Sequence, residues 1–160
     1  MAKVLGKQLI EELSKPMRFE FMGKEKEFEE NVFENIEQII DVLELPEIKL
    51  AQRQIRIQAD GMQAIMDIVV RHVDGSATIF EVKKGNIKHP ATAPFNQMQA
   101  IGQMLLYREL FEAATNVDPR LILIDNKIFK RTYMAFLRTK LPITLMELQK
   151  DRLFIPYKSF

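Results

Sequence analysis

The chain has no cysteine among its 160 residues. That excludes disulfides and thiolate metal sites and fits a reducing compartment. No apolar run approaches the roughly 18 residues needed to span a membrane. The opening stretch MAKVLGKQLIEELSKPM is too acidic and too broken for a secretory signal. No membrane partner and an intracellular, cytoplasmic location are therefore expected. An excess of either charge is also missing: 23 Lys and Arg face 22 Asp and Glu, a formal charge of +1. Composition thus argues for no polyanion partner, and a nucleic-acid role must rest on a local basic surface. There is no Gly-rich phosphate loop and no G-x-S-x-G elbow, which argues against nucleotide hydrolysis and serine chemistry. Repeats, low-complexity segments and linkers are absent too. What remains is 47% hydrophobic and 28% charged residues, the profile of a globular protein. The length suits one domain over residues 1–160, large enough to bury a core without staples.

Hydrophobic periodicity predicts the elements. Leu5, Leu9, Ile10 and Leu13 mark an amphipathic helix over residues 3–14, ended near Pro16. Residues 18–22 read as short and extended. A long helix is expected over 25–44, with Phe28, Val32, Ile36, Ile39 and Leu43 at spacings of three and four. Strands are expected at 54–58, where QIRIQ alternates, at 65–73 and at 77–83. Asp74-Gly75 between the last two is a hairpin signal. Helices over 95–114 and 129–139 alternate with strands at 121–124 and 143–148. A hairpin followed by βαβ units implies an α/β fold: a mixed central sheet with helices on both faces.

Polar residues interrupt two of these strands. Asp67 stands in the apolar run IMDIVV, and Glu81 and Lys83 stand in TIFEVKK. A buried carboxylate is costly unless paired, hydrogen-bonded or bound to a metal. Residues two apart in a strand share a face, so Glu81 and Lys83 point together. The turn decides whether Asp67 joins them. A two-residue Asp74-Gly75 loop pairs Val73 with Ser76, sets Asp67 opposite Val82 and turns it away. A three-residue loop ending at Ser76 sets Asp67 opposite Lys83 and Glu81 opposite Val69, with all three on one face. The ordinary alternative is a solvated outer face, but the flanking residues are very apolar. On the long helix, at about 100° per residue with Phe28 at 0°, the apolar side chains fall between 0° and about 120°. Glu29, near 100°, lies inside that arc, either aimed at the core or snorkelling from its edge. Glu25 also falls there, at the end of the helix.

Asp67, thirteen intervening residues and then Glu81-Val82-Lys83 resemble the PD-(D/E)XK nuclease motif. The helix carrying Glu29 resembles the acidic first helix of that superfamily. Gln103 to Tyr107 is similar to its Q-x-x-x-Y helix. The ordered match covers roughly residues 25–148, with Met66 standing where the motif has proline. The resemblance implies a restriction-endonuclease-like core and a metal-dependent nuclease acting on phosphodiester bonds, expected to be an endonuclease with DNA, rather than RNA, as substrate. It implies Mg²⁺ or Mn²⁺ held by Asp67, Glu81 and the Val82 carbonyl. Glu29 would serve a second ion or a metal-bound water. Lys83 would position the attacking water and stabilise developing charge; beside two carboxylates it should stay protonated when metal is absent.

Gln103 is the candidate that meets Lys83 or the scissile phosphate. Gln99 and Tyr107, one helical turn to either side, complete a polar stripe that is otherwise an ordinary solvated face. Lys84 and Lys88 beyond the motif strand, and Lys130 and Arg131 on the late helix with Lys127, Arg138 and Lys140 around it, are candidate phosphate contacts. His72 and His89 sit in no metal-binding spacing and are expected to be structural or surface residues. With no recognition domain visible, specificity would come from a homodimer or a recruiting protein. Two alternatives stand: a non-catalytic nucleic-acid- or protein-binding module on the same scaffold, and an unrelated α/β interaction protein whose D…ExK is accidental.

Overall fold

A computed structural model describes residues 25–84, 93–149 and 152–160. The helix expected at 3–14, the extended stretch at 18–22, Lys88 and His89 lie outside these residues. Ten elements follow in order: α1 (Glu25–Glu34), α2 (Ile36–Val42), β1 (Ile48–Ala59), β2 (Met62–His72), β3 (Ala77–Lys83), α3 (Ala93–Thr115), β4 (Arg120–Asp125), α4 (Lys130–Thr139), β5 (Ile143–Gln149) and β6 (Arg152–Tyr157). The strands form one sheet in the order β1-β2-β3-β4-β5-β6. β3, β4 and β5 run parallel, and the outer pairs are antiparallel. The chain is therefore an α/β protein with a mixed sheet. α1 and α2 pack on one face through Phe28, Val32, Ile36, Ile39, Ile40 and Leu43. α3 and α4 cover the other through Ala100, Met104, Tyr107, Phe111 and Phe136. β4 is buried on both sides, which is why LILI reads as an unbroken apolar run.

The differences from the sequence reading have local causes. The helix expected over 25–44 breaks at Asn35, whose side-chain amide donates to the Asn31 carbonyl at 2.8 Å and competes with the helical ladder. β1 is longer than 54–58, and a two-residue turn joins it to β2. Asp60 and Gly61 both have positive φ, 50° and 76°, the conformation an Asp-Gly hairpin favours. β6 was not expected. Its Pro156 is tolerated because β6 is an edge strand. Neither anticipated register of the β2–β3 hairpin forms. Val70 pairs with Thr78 and Arg71 with Ala77, and the His72 N–H donates to the Ser76 carbonyl at 2.9 Å. The loop is thus Val73-Asp74-Gly75, closed by Asp74, which accepts from the Ser76 N–H and hydroxyl. In this register Asp67 comes opposite Glu81 rather than Lys83 or Val82, and parity keeps 67, 81 and 83 on a common face.

The β2–β3 ladder stops at Ile68–Phe80. Beyond that point the β1–β2 ribbon leaves the sheet and coils towards α3. Ala51, Ile68 and Val70 pack with α1 and α2, whereas Ile55, Ile57, Ala64 and Met66 pack with α3. The face of β1 that carries Ala51 and Ile55, and the face of β2 that carries Val70, Ile68 and Met66, change core around Gln54 and Asp67, while Val69 on the opposite face of β2 packs with α3. Among the described residues no helix is long and apolar enough to cross a membrane.

His72 is buried at the other end of β2, as a structural residue. Its Nδ1 lies 2.6 Å from the Pro46 carbonyl and its Nε2 2.8 Å from the Thr78 hydroxyl. The neutral ring fits both: Nδ1–H donates to Pro46 and Nε2 accepts from Thr78. Burial, opposed by the Pro46 carbonyl, holds its pKa below the usual histidine range. The native state then binds fewer protons than the unfolded chain below about pH 6.5, so this stabilisation is full above that pH and fades as pH falls. His72→Gln should be less stable than wild type at pH 7, and urea unfolding should show the gap narrowing towards pH 5.

Candidate active site

Where β2 leaves β3, the Asp67 side chain takes over the ladder. Its Oδ2 accepts the Val82 N–H at 2.9 Å. In an antiparallel ladder the N–H and C=O of one residue point to the same edge, so the Val82 carbonyl also faces this opening. Glu81 is 3% exposed, and its Oε2 has no hydrogen-bond partner. Lys83 reaches back along the strand, with Nζ 3.4 Å from Glu81 Oε1 and 3.6 Å from Glu25 Oε1. Glu25 Oε2 also accepts the Lys84 N–H at 3.3 Å.

The electrostatics are those of acids crowded out of water. Burial and then the neighbouring Asp67 charge push the Glu81 carboxyl up to about 8, against the pull of Lys83. Asp67 is also raised, by burial first and by Glu29 as well; the Val82 N–H and Lys83 oppose the shift. Burial works against the Lys83 ammonium, yet Glu81, Glu25 and Asp67 together raise it above the usual lysine range. Tyr107 is buried on the facing helix. Burial, then Glu81 and Asp67, push its phenol up to about 12, so it remains a neutral donor.

Glu29 does point inward, 7% exposed. Its carboxylate is held at 2.9 and 3.0 Å by the Gln54 amide and at 3.2 Å by Arg53 Nε. The same Gln54 amide nitrogen lies 3.4 Å from Asp67 Oδ1. Glu29 is thus tied to the Asp67–Glu81 pair through Gln54. Gln54 itself has φ 50° in mid-strand, a left-handed conformation that costs a non-glycine residue on the order of 1–3 kcal/mol.

The remaining sequence candidates divide. Lys84 and Gln99 line an open cleft at the mouth, together with Glu25, Lys83, Asn96 and Asp125. Gln103 is half-buried on α3, and no hydrogen bond joins it to Lys83. Lys130 and Arg131 are exposed in the first turn of α4, which follows the mouth residue Asp125 after a short loop. Lys140 caps the far end of that helix in a left-handed conformation, φ 53°. The buried stripe of α3 runs Gln97, Ala100, Met104, Tyr107 and Phe111, so its buried glutamine is Gln97. That side chain donates to Asp125 at 2.9 Å and accepts from the Thr132 hydroxyl at 2.9 Å, joining α3, β4 and α4.

Sequence reasoning did not single out Gln54, Gln97 or Asp125 for the site. Gln54 has no signal beyond its place in an alternating strand. Gln97 was readable from the three-and-four spacing of the α3 stripe. Glu25 was noted on the same helical arc as Glu29, four residues on, but its reach to Lys83 depends on how α1 docks.

A divalent cation suits this donor set. Two carboxylates lie beside one another, one buried oxygen accepts no hydrogen bond, and a backbone carbonyl faces the gap. Among the described residues no three His, Asp or Glu side chains are close enough to hold a metal by themselves. Asp67, Glu81 and the Val82 carbonyl would be completed by water, as Mg²⁺ commonly requires.

The raised Glu81 carboxyl has a consequence for stability. The native state binds more protons than the unfolded chain between about pH 4.5 and 8, so metal-free stability falls as pH rises through that window. Glu81→Gln should be more stable than wild type in EDTA at pH 8, by on the order of a few kcal/mol. Denaturant titrations should show the advantage vanishing near pH 4.

No family model and no curated protein matches the sequence. Solved structures do. A repair endonuclease from Pyrococcus abyssi superposes over 82% of this chain with a TM-score of 0.52 and 18% identity. Can2 from Sulfobacillus thermosulfidooxidans, in complex with cyclic tetra-adenylate, superposes over 76% with a TM-score of 0.54 and 15% identity. The chain spans 50% of the first protein's length and 31% of the second's. At such identities the likeness is one of fold. The chain shares the α/β fold of these two proteins, a mixed sheet with helices on both faces, and carries its D…ExK residues on two adjacent strands of that sheet.

Proposed function

We propose that the protein is a metal-dependent nuclease that hydrolyses phosphodiester bonds of DNA. The observation that carries this reading is the buried Asp67–Glu81 pair with Lys83 beside it, at a gap between strands where the buried Glu81 Oε2 accepts no hydrogen bond. Burying two like charges is unfavourable unless a cation or a proton compensates, and a hard divalent cation, Mg²⁺ or Mn²⁺, matches oxygen donors. The fold of the repair endonuclease supports the same class.

Asp67 is held at Oδ2 by the Val82 N–H and approached at Oδ1 by the Gln54 amide, so its carboxylate keeps one orientation. Lys83 stays charged and can donate to a phosphate oxygen or hold the attacking water. Its contact with Glu25 is half-exposed and weak, so an entering phosphate can displace that partner. Tyr107, neutral and facing the carboxylates, can donate without adding charge. Lys84 and Gln99 at the mouth, with Lys130 and Arg131 along the rim of α4, are the proposed contacts to the flanking backbone. Glu29 acts from behind, through Gln54. When bound, the cation would neutralise phosphate charge and make a bound water more acidic.

The test is cleavage of plasmid and single-stranded DNA with Mg²⁺, Mn²⁺ or EDTA. Metal-dependent cutting is expected, with a loss of more than about 100-fold in Asp67→Ala. Cutting that survives this substitution would sink the site assignment, and a wild type that cuts neither substrate favours a binding module on the same scaffold. Lys83→Ala should lower kcat about 10²–10³-fold while calorimetry shows Mn²⁺ still bound. Loss of metal binding in that variant would show that its role is misassigned.

A further inference from the structure

The residue at the crossing of the β1–β2 ribbon has a side chain that no resemblance assigns. Gln54 stands across from Asp67: the flanking pairs are Arg53–Ile68 and Ile55–Met66. Its amide nitrogen meets both Glu29 oxygens, at 3.0 and 2.9 Å, and lies 3.4 Å from Asp67 Oδ1. An amide nitrogen carries two hydrogens, enough for one carboxylate on each side. Its neighbours are both acids, so the nitrogen, and not the oxygen, must face them. The backbone here is left-handed, φ 50°, in the middle of a strand, where a glutamine has no local reason to adopt it. Placing the amide between the two carboxylates is a reason.

We propose that Gln54 is a positioning residue of the metal site. It orients the Asp67 carboxylate towards the Glu81 side of the gap and couples it to Glu29 without adding charge. The proposal rests on the nuclease reading for its chemistry, but its geometry is independent of substrate. Removing such a partner behind a metal ligand typically weakens metal affinity or activity about 10–100-fold.

The test uses the full chain with Gln54→Asn and Gln54→Gly. Both residues tolerate left-handed backbone, so neither is strained there, and neither can reach the two carboxylates. Three quantities are read: melting temperature in EDTA, Mn²⁺ affinity by calorimetry without nucleic acid, and plasmid-cleavage kinetics. The expected result is a melting temperature equal to or above that of wild type, an Mn²⁺ Kd weakened about tenfold, and a kcat lowered about 10–100-fold with KM little changed. Wild-type Kd and kcat in both variants overturn the proposal. So does a loss of affinity accompanied by a matching fall in melting temperature, which makes Gln54 merely structural. A wild type that binds Mn²⁺ but cuts nothing overturns the nuclease reading, while the Kd comparison still decides the role of Gln54. A wild type that binds no Mn²⁺ overturns both.

Discussion

A single hydrogen bond marks where this molecule turns from a sheet into a site: the Val82 N–H to the Asp67 carboxylate, at 2.9 Å. Ladder pairing between β2 and β3 ends one residue earlier, at Ile68–Phe80. Had it continued, backbone groups would have satisfied one another and the gap would be closed. With a side chain accepting in place of a carbonyl, the strands part. The β1–β2 ribbon is released to pack on α3, and the Val82 carbonyl is left facing the edge where β2 would have paired. One buried acid thus satisfies a backbone donor and keeps the two strands apart.

The rest of the fold tolerates what this opening costs. Glu81 is buried beside another acid with an unmatched oxygen, an arrangement that opposes folding near neutral pH. Two apolar cores offset it, one on each face of the parallel strands. Lys83 supplies the nearby positive charge, and it sits at the rim rather than deep in the core. There Glu25 holds it at a half-exposed contact. Local sequence–structure conflict concentrated at a site, with consistency elsewhere, is the usual pattern in natural proteins. At this candidate site the conflict consists of a left-handed glutamine in a strand, a carboxylate in place of a ladder bond and two acids side by side.

Much of the fold was legible from residue order. Phe28, Val32, Ile36 and Ile39 at helical spacing, the unbroken LILI of β4 and the alternation in β1 each follow from which face must be buried. Other elements were hidden for physical reasons. β6 carries a proline, permissible only because nothing pairs beyond that edge. The β2–β3 register depended on Asp74 folding back onto Ser76, which moved the loop one residue earlier than either simple count. The periodicity of α3 also left unmentioned its buried, bonded glutamine, Gln97, which the helix turns inward along with Tyr107 and Phe111.

By itself the sequence determined the helices and central strands, the even spacing that keeps 67, 81 and 83 on one face, and the presence of two acids and a lysine there. Those properties depend on periodicity and side-chain type alone. Only the tertiary structure decided that Asp67 opposes Glu81, that Glu25 reaches Lys83, and that Gln54 stands between Glu29 and Asp67. These are contacts between residues 13 to 58 positions apart. They are set by where a ladder stops and how a helix docks, and no local pattern of residues encodes either.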